Sequence, residues 1–185
     1  EVLCGVVGRL VREKGIAEIL EAACVLRASA PSVRFVIIGP GDPGKADAIA
    51  EATIQRARAD GVVFTGERTD LPECYSAMDL FVMASWREGF PRAAMEAAAM
   101  GLPAIATDIR GCRQVVADGV TGVLVPARDS AALERAVATF ARPKPFTRQR
   151  IIERARTLFD PRRLLDITSR AYPGPSTSTV GRRVV

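Results

Sequence analysis

The stretch LFVMASWREGFPRAAMEAAAMGLPAIAT, Leu80 to Thr107, decides the fold. It begins with a short apolar run, "LFVMAS", and ends with another, "PAIAT". Between them Pro91 suits a first helical turn, Gly101 suits a C-cap and Pro103 lies beyond, which predicts a helix over roughly residues 91–100. Strand, helix, strand is the unit of a parallel sheet, because parallel neighbours need a crossover and a helix is the usual one.

Working outward, the same alternation repeats. Before this stretch come the strand "EVLCGVVG", a helical pattern at Ile16, Ile19, Leu20, Ala23 and Leu26, the strand "VRFVIIG", a helical pattern over 45–59 and the strand "VVFTG". After it comes "GVLVP". The pattern predicts an α/β, Rossmann-like domain over residues 1–140, a parallel sheet with helices on both faces. Residues 141–172 read as a linker, "ARPKPFT", and two helices, the second N-capped by Asp160, that would pack on an absent N-terminal domain; residues 173–185 read as a disordered tail. A strand at the very first residues suggests a chain that starts inside a longer protein. Sheets of this kind bind ligands beyond the carboxyl ends of their strands, so chemistry is expected at the strand-to-helix joints.

Composition narrows the ligand. Of 185 residues 48% are apolar, and 26 Lys and Arg against 21 Asp and Glu leave a net charge of +5, which mildly favours anionic partners. The few aromatics are not interleaved with basic clusters, which argues against nucleic acid. Cys4, Cys24, Cys74 and Cys112 lack CxxC spacing and read as buried thiols in a reducing compartment, so the expected location is the cytoplasm. No apolar run reaches membrane-span length. There is no histidine and no Asp-x-Asp pair, so neither the commonest general base nor a common divalent-metal clamp is present, and neither a metal nor a cofactor is expected.

Three joints carry candidate residues. "GRLVREKG" sets Arg9 and Lys14 between Gly8 and Gly15, cations over a helix start that suit a diphosphate; a solvated basic loop accounts for the same residues. "VRFVIIGPGDPG" offers Gly39, Gly41 and Gly44 as a dinucleotide fingerprint, with Glu67 further on for a ribose, or else a simple turn stiffened by Pro40 and Pro43. In the opening stretch Glu88 precedes the helix and Glu96 lies almost two turns into it, about ten ångströms along at 1.5 Å per residue, so the two carboxylates can meet opposite ends of an extended ligand. The alternative is an Arg92–Glu96 ion pair on the helix surface.

Taken in order, "GRLVREKG", "VRFVIIGPG", "VVFTG", "LPECYSAMDLFVMAS", "EGFPRAAMEAAAMGLPAIATDIRGCRQVVADGVTGVLVP" and "DSAALERAV" resemble the C-terminal, donor-binding domain of family 4 retaining glycosyltransferases with the GT-B fold. The resemblance implies that Arg9 and Lys14, with Gly8, hold the diphosphate of a UDP- or GDP-sugar and stabilise its departure. It implies that Glu96 accepts hydrogen bonds from ribose, that Glu88 meets the transferred sugar, and that the Gly89 and Phe90 amides assist. The Thr65–Arg68 turn, with Arg68, would lie near the base. It further implies metal-independent transfer to an acceptor held by a separate N-terminal domain, with peripheral association of the longer protein at the cytoplasmic membrane face. The rival expectations are a nicotinamide-binding oxidoreductase domain and a nucleotide-sugar-binding module without catalysis.

Overall fold

Each of the six apolar runs forms a strand: β1 (Val2–Val7), β2 (Val33–Ile38), β3 (Val63–Gly66), β4 (Leu80–Met83), β5 (Ala104–Thr107) and β6 (Gly122–Val125). The structure is a computed structural model that describes residues 1–140, 146–160 and 162. The helices are α1 (Ile16–Ser29), α2 (Glu51–Ala59), α3 (Leu71–Ala77), α4 (Arg92–Ala99), α5 (Arg110–Val115), α6 (Ser130–Phe140) and α7 (Arg148–Phe159). All strand pairs are parallel, in the order β3-β2-β1-β4-β5-β6. From β1 the chain steps outward through β2 to β3, then returns to the other side of β1 to lay down β4, where Cys4 pairs with Leu80 and Gly5 with Phe81. The order therefore reverses between β1 and β4, and their loops diverge to opposite sides and leave a crevice.

The period of two along each strand sends alternate side chains to two separate cores. Leu80, Val82 and Ile105 join Ile16, Ile19, Leu26, Leu133 and Val137 on the face covered by α1 and α6. Phe81, Met83, Ala104 and Ala106 join Tyr75, Ala94, Ala97 and Cys112 on the face covered by α3, α4 and α5. Burial on both sides explains why β4 and β5 are apolar at nearly every position.

α4 spans residues 92–99 with Pro91 as its N-cap and Gly101, at φ 76°, just past its end, close to the expected bounds. α7, in the segment expected to pack on an absent N-terminal domain, lies against α4 of this domain, burying Ile151 and Ala155. Asp160 accepts from the Arg162 amide at 2.9 Å, as an N-cap would; the helix expected beyond it and the tail at 173–185 fall outside the described residues, as do 141–145 of the linker. Among the described residues no helix is long and apolar enough to cross a membrane.

Two expectations need correction. The helix predicted over 45–59 starts only at Glu51, because residues 41–49 are stitched to the loop after β1 instead: Arg12 donates its amide to Asp47 at 2.8 Å, and Ile49 donates to Leu10 at 3.0 Å. Of the four cysteines expected to be buried, only Cys4 and Cys112 are; Cys74 is half-buried and Cys24 faces solvent on α1.

Candidate functional site

The crevice between β1 and β4 holds a cavity of about 440 Å³. Gly8, Arg9 and Lys14 line it from the loop after β1; Glu88, Phe90, Pro91, Arg92 and Glu96 line it from the loop after β4 and from α4. A neighbouring cavity of about 510 Å³ shares Arg9, Lys14 and Glu88 and adds Gly89, Arg87 and Arg110. The described structure thus gathers Gly8, Arg9, Lys14, Glu88, Gly89, Phe90 and Glu96, which are up to 88 positions apart in sequence, around two adjoining spaces. Arg68 is not among them. It lines neither cavity, and its guanidinium is tied to Asp70 at the surface, with Nε 2.8 Å from Oδ1.

Lys14 reaches the cavity because the chain after β1 makes one 3-10 turn, Arg12–Lys14, closed by the Gly15 amide on the Arg12 carbonyl at 2.8 Å. Gly15 is left-handed at φ 67°, and a Cβ there would stand 2.0 Å from the Ala84 carbonyl oxygen, so only glycine allows this turn to lie against the exit of β4. The Trp86 amide donates to the Glu13 carbonyl at 2.9 Å and its indole donates to Glu18 at 2.8 Å, joining the two loops further, while Arg128 stacks 4.1 Å from the Trp86 ring centroid.

Neither basic residue stands free. Lys14 Nζ donates to Glu88 Oε1 at 2.6 Å, with the lysine side chain 29% and the glutamate side chain 12% exposed. Arg9 Nη1 donates to Asp42 Oδ2 at 2.9 Å near the surface. Both cations are thus already paired with carboxylates, and an anion that binds them competes with Glu88 and Asp42.

At the other end of the cavity Glu96 makes no ion pair with Arg92. It accepts instead from the Tyr75 hydroxyl, 2.9 Å from Oε2, and Tyr75 is itself buried in the core. Burial first, and then the Glu96 carboxylate, push the Tyr75 ionisation far up, so it stays a donor. Beneath the site Cys112 is buried beside Thr107, 3.8 Å away, and burial pushes its thiol up to about 11. A thiol held neutral in this way is part of the packing rather than a nucleophile.

Sequence reasoning missed Tyr75 and Asp42. Tyr75 sits in α3, 21 positions before Glu96, and no local periodicity links them; only the packing of α3 against β4 and α4 does.

Residues 1–142 match the family model described as glycosyl transferases group 1. The chain belongs to the group 1 glycosyl transferases. Within this family it is 32% identical over 146 residues to the lipopolysaccharide core biosynthesis mannosyltransferase LpsB of Rhizobium meliloti, a match covering 76% of this chain and 42% of that protein. It is 37% identical over 126 residues to a GDP-mannose-dependent alpha-mannosyltransferase of Mycobacterium tuberculosis, covering 67% of this chain and 30% of that one. Among solved structures it resembles sucrose-phosphate synthase of Thermosynechococcus elongatus, with a TM-score of 0.79 and 29% identity over 94% of this chain and 45% of that chain. The group 1 chain thus spans less than half the length of each of these relatives. Its sheet is that of the C-terminal half of a GT-B enzyme.

Membership removes the nicotinamide alternative, and the geometry supplies the reason. Gly39 is packed so closely that a Cβ would stand 2.1 Å from the Gly8 carbonyl oxygen; it serves the contact between the loops after β1 and β2. Gly41 and Gly44 face open space, and between β2 and Glu51 no helix begins whose N-terminus could take a pyrophosphate at these glycines.

Proposed function

We propose that this chain is the donor-binding domain of a retaining glycosyltransferase that takes a sugar from a UDP- or GDP-sugar and passes it to an acceptor held by a further, N-terminal domain. The observation that carries this reading is the convergence of Arg9, Lys14, Glu88 and Glu96 on one crevice at the reversal of strand order. A nucleoside diphosphate-sugar presents a ribose diol, a dianionic bridge and a sugar in a row. Glu96 accepts from the ribose hydroxyls, Arg9 and Lys14 bind the diphosphate, and Glu88 faces the sugar.

On donor entry the diphosphate draws Lys14 from Glu88 and Arg9 from Asp42. The charge-assisted contacts so formed strengthen as the anomeric bond breaks and negative charge collects on the leaving group. Glu88, released by the lysine, accepts from the sugar hydroxyls and lies near the positive charge developing at the anomeric carbon. The backbone at Gly89 and Phe90 adds polar contacts at the sugar end. The positive charge comes from arginine and lysine, so transfer proceeds without a divalent metal. The four cysteines without CxxC spacing and the net charge of +5 support a cytoplasmic location with peripheral contact to the acidic membrane face.

Calorimetry with UDP and GDP, with and without a chelator, tests the reading. Binding of at least one nucleotide, unchanged by the chelator, is expected. Tighter binding of NAD than of either, or an absolute need for a metal, overturns it.

A further inference from the structure

We infer that Tyr75 is a positioning residue for the ribose-binding carboxylate, holding Glu96 in the rotamer that meets the donor. The inference rests on the proposed role of Glu96 and names the group that makes that role work.

Glu96 is exposed on α4, where a glutamate has three rotatable side-chain bonds whose freedom is lost when it is held in one rotamer. Tyr75 supplies the hold. Its ring is 2% exposed, held in the core and edge-on to Phe81 with centroids 6.1 Å apart at 61°. The phenol therefore has a fixed position, set by α3 and β4 rather than by α4. Its hydroxyl stands within 2.9 Å of Glu96 Oε2 and 3.2 Å of the Ala93 carbonyl, and it is Glu96 and Ala93 that line the cavity. A hydroxyl has one proton, and the shorter, charged acceptor takes it.

Stereochemistry fits a diol. An ionised carboxylate offers about four lone-pair directions. Tyr75 occupies one, on Oε2, and the remainder can accept from two neighbouring hydroxyls. The rotamer entropy that a free glutamate would lose on binding has been lost already on folding.

The test is a double-mutant cycle on the full chain with Tyr75→Phe, Glu96→Ala and the pair, read by calorimetry with UDP, GDP and their 2′,3′-dideoxy analogues. Tyr75→Phe should weaken the nucleotide that binds by roughly three- to tenfold, the worth of one ordered side chain. It should leave the dideoxy analogue unaffected, and should add nothing in the Glu96→Ala background. The analogue also serves as the folding control, since it reports an intact diphosphate site. If Tyr75→Phe weakens both ligands equally, or weakens binding further once Glu96 is gone, Tyr75 acts through the core and the inference falls. If Glu96→Ala weakens UDP or GDP while Tyr75→Phe does not, the inference falls and the ribose role of Glu96 stands. If Glu96→Ala itself has no effect, the ribose role is wrong and the inference goes with it.

Discussion

Removing the charge of Glu88 should tighten the grip on a bare nucleoside diphosphate. Lys14 Nζ lies 2.6 Å from Glu88 Oε1, so a phosphate must compete with that carboxylate for it. With the glutamate side chain 12% exposed and the lysine 29%, the pair stands between a surface bridge, worth at most about 1 kcal/mol, and a buried one, worth about 3–5 kcal/mol when broken. Because the lysine end still reaches water, the lower figure governs, and its release costs about 1 kcal/mol. Glu88→Gln keeps the shape and removes that competition. UDP or GDP should then bind about fivefold more tightly, and the gain should shrink at high salt, where the competing pair is screened. The sugar-bearing donor should behave in the opposite sense, since the sugar loses its carboxylate and turnover by the longer enzyme falls. Calorimetry of both proteins at matched ionic strength measures the first effect. Equal or weaker binding of the bare nucleotide by Glu88→Gln would show that Lys14 does not exchange partners.

Arg9→Ala should weaken UDP or GDP about tenfold while leaving the melting temperature almost unchanged, because its pair with Asp42 is exposed; a large loss of stability would make Arg9 a structural residue. Gly15→Ala should cost about 2–3 kcal/mol in denaturant unfolding, since its φ of 67° and its contact with Ala84 both exclude a Cβ; a variant as stable as the parent would contradict the described turn. In a thiol-labelling time course at pH 8, exposed Cys24 should react well before buried Cys4 and Cys112, and early modification of Cys112 would contradict its burial. The folded-state pKa of Cys112, about 11, lies above the ordinary thiol value of about 8.5, so its neutral burial stabilises the fold fully below that ordinary value and the contribution is lost as pH climbs toward 11. Denaturation midpoints should fall across that window in the parent and fall less in Cys112→Ala; identical slopes would show that another group titrates there.

The sheet was legible because burial on both faces leaves an uninterrupted apolar run at each strand, and because Gly and Pro punctuate the joints. The four charged residues that the sequence singled out and that line the crevice were legible for a related reason. Arg9 and Lys14 lie between glycines, and Glu88 and Glu96 flank a helix otherwise so apolar that few charges compete for attention. What could not be read is what those charges touch. The Lys14–Glu88 and Arg9–Asp42 pairs join loops after different strands, and Tyr75 meets Glu96 across two helices, so each depends on packing that no local window contains. The late start of α2 has the same origin: residues 45–50 have a helical pattern, yet hydrogen bonds to the loop after β1 hold that stretch in another shape. Arg68 shows the converse, a residue in a suitable place along the chain whose nearest partner, Asp70, ties it down two residues away.

The ring of Phe90 meets that of Phe159 edge to face, with centroids 5.9 Å apart at 78°. Phe90 is two residues from Glu88, and Phe159 ends α7, so the last turn of that helix touches the loop that carries Glu88. The contact is aromatic and half exposed, made without a hydrogen bond, and such a joint slides rather than snaps. A displacement of the last turn of α7 would thus reach the loop that carries Glu88 through one pair of rings.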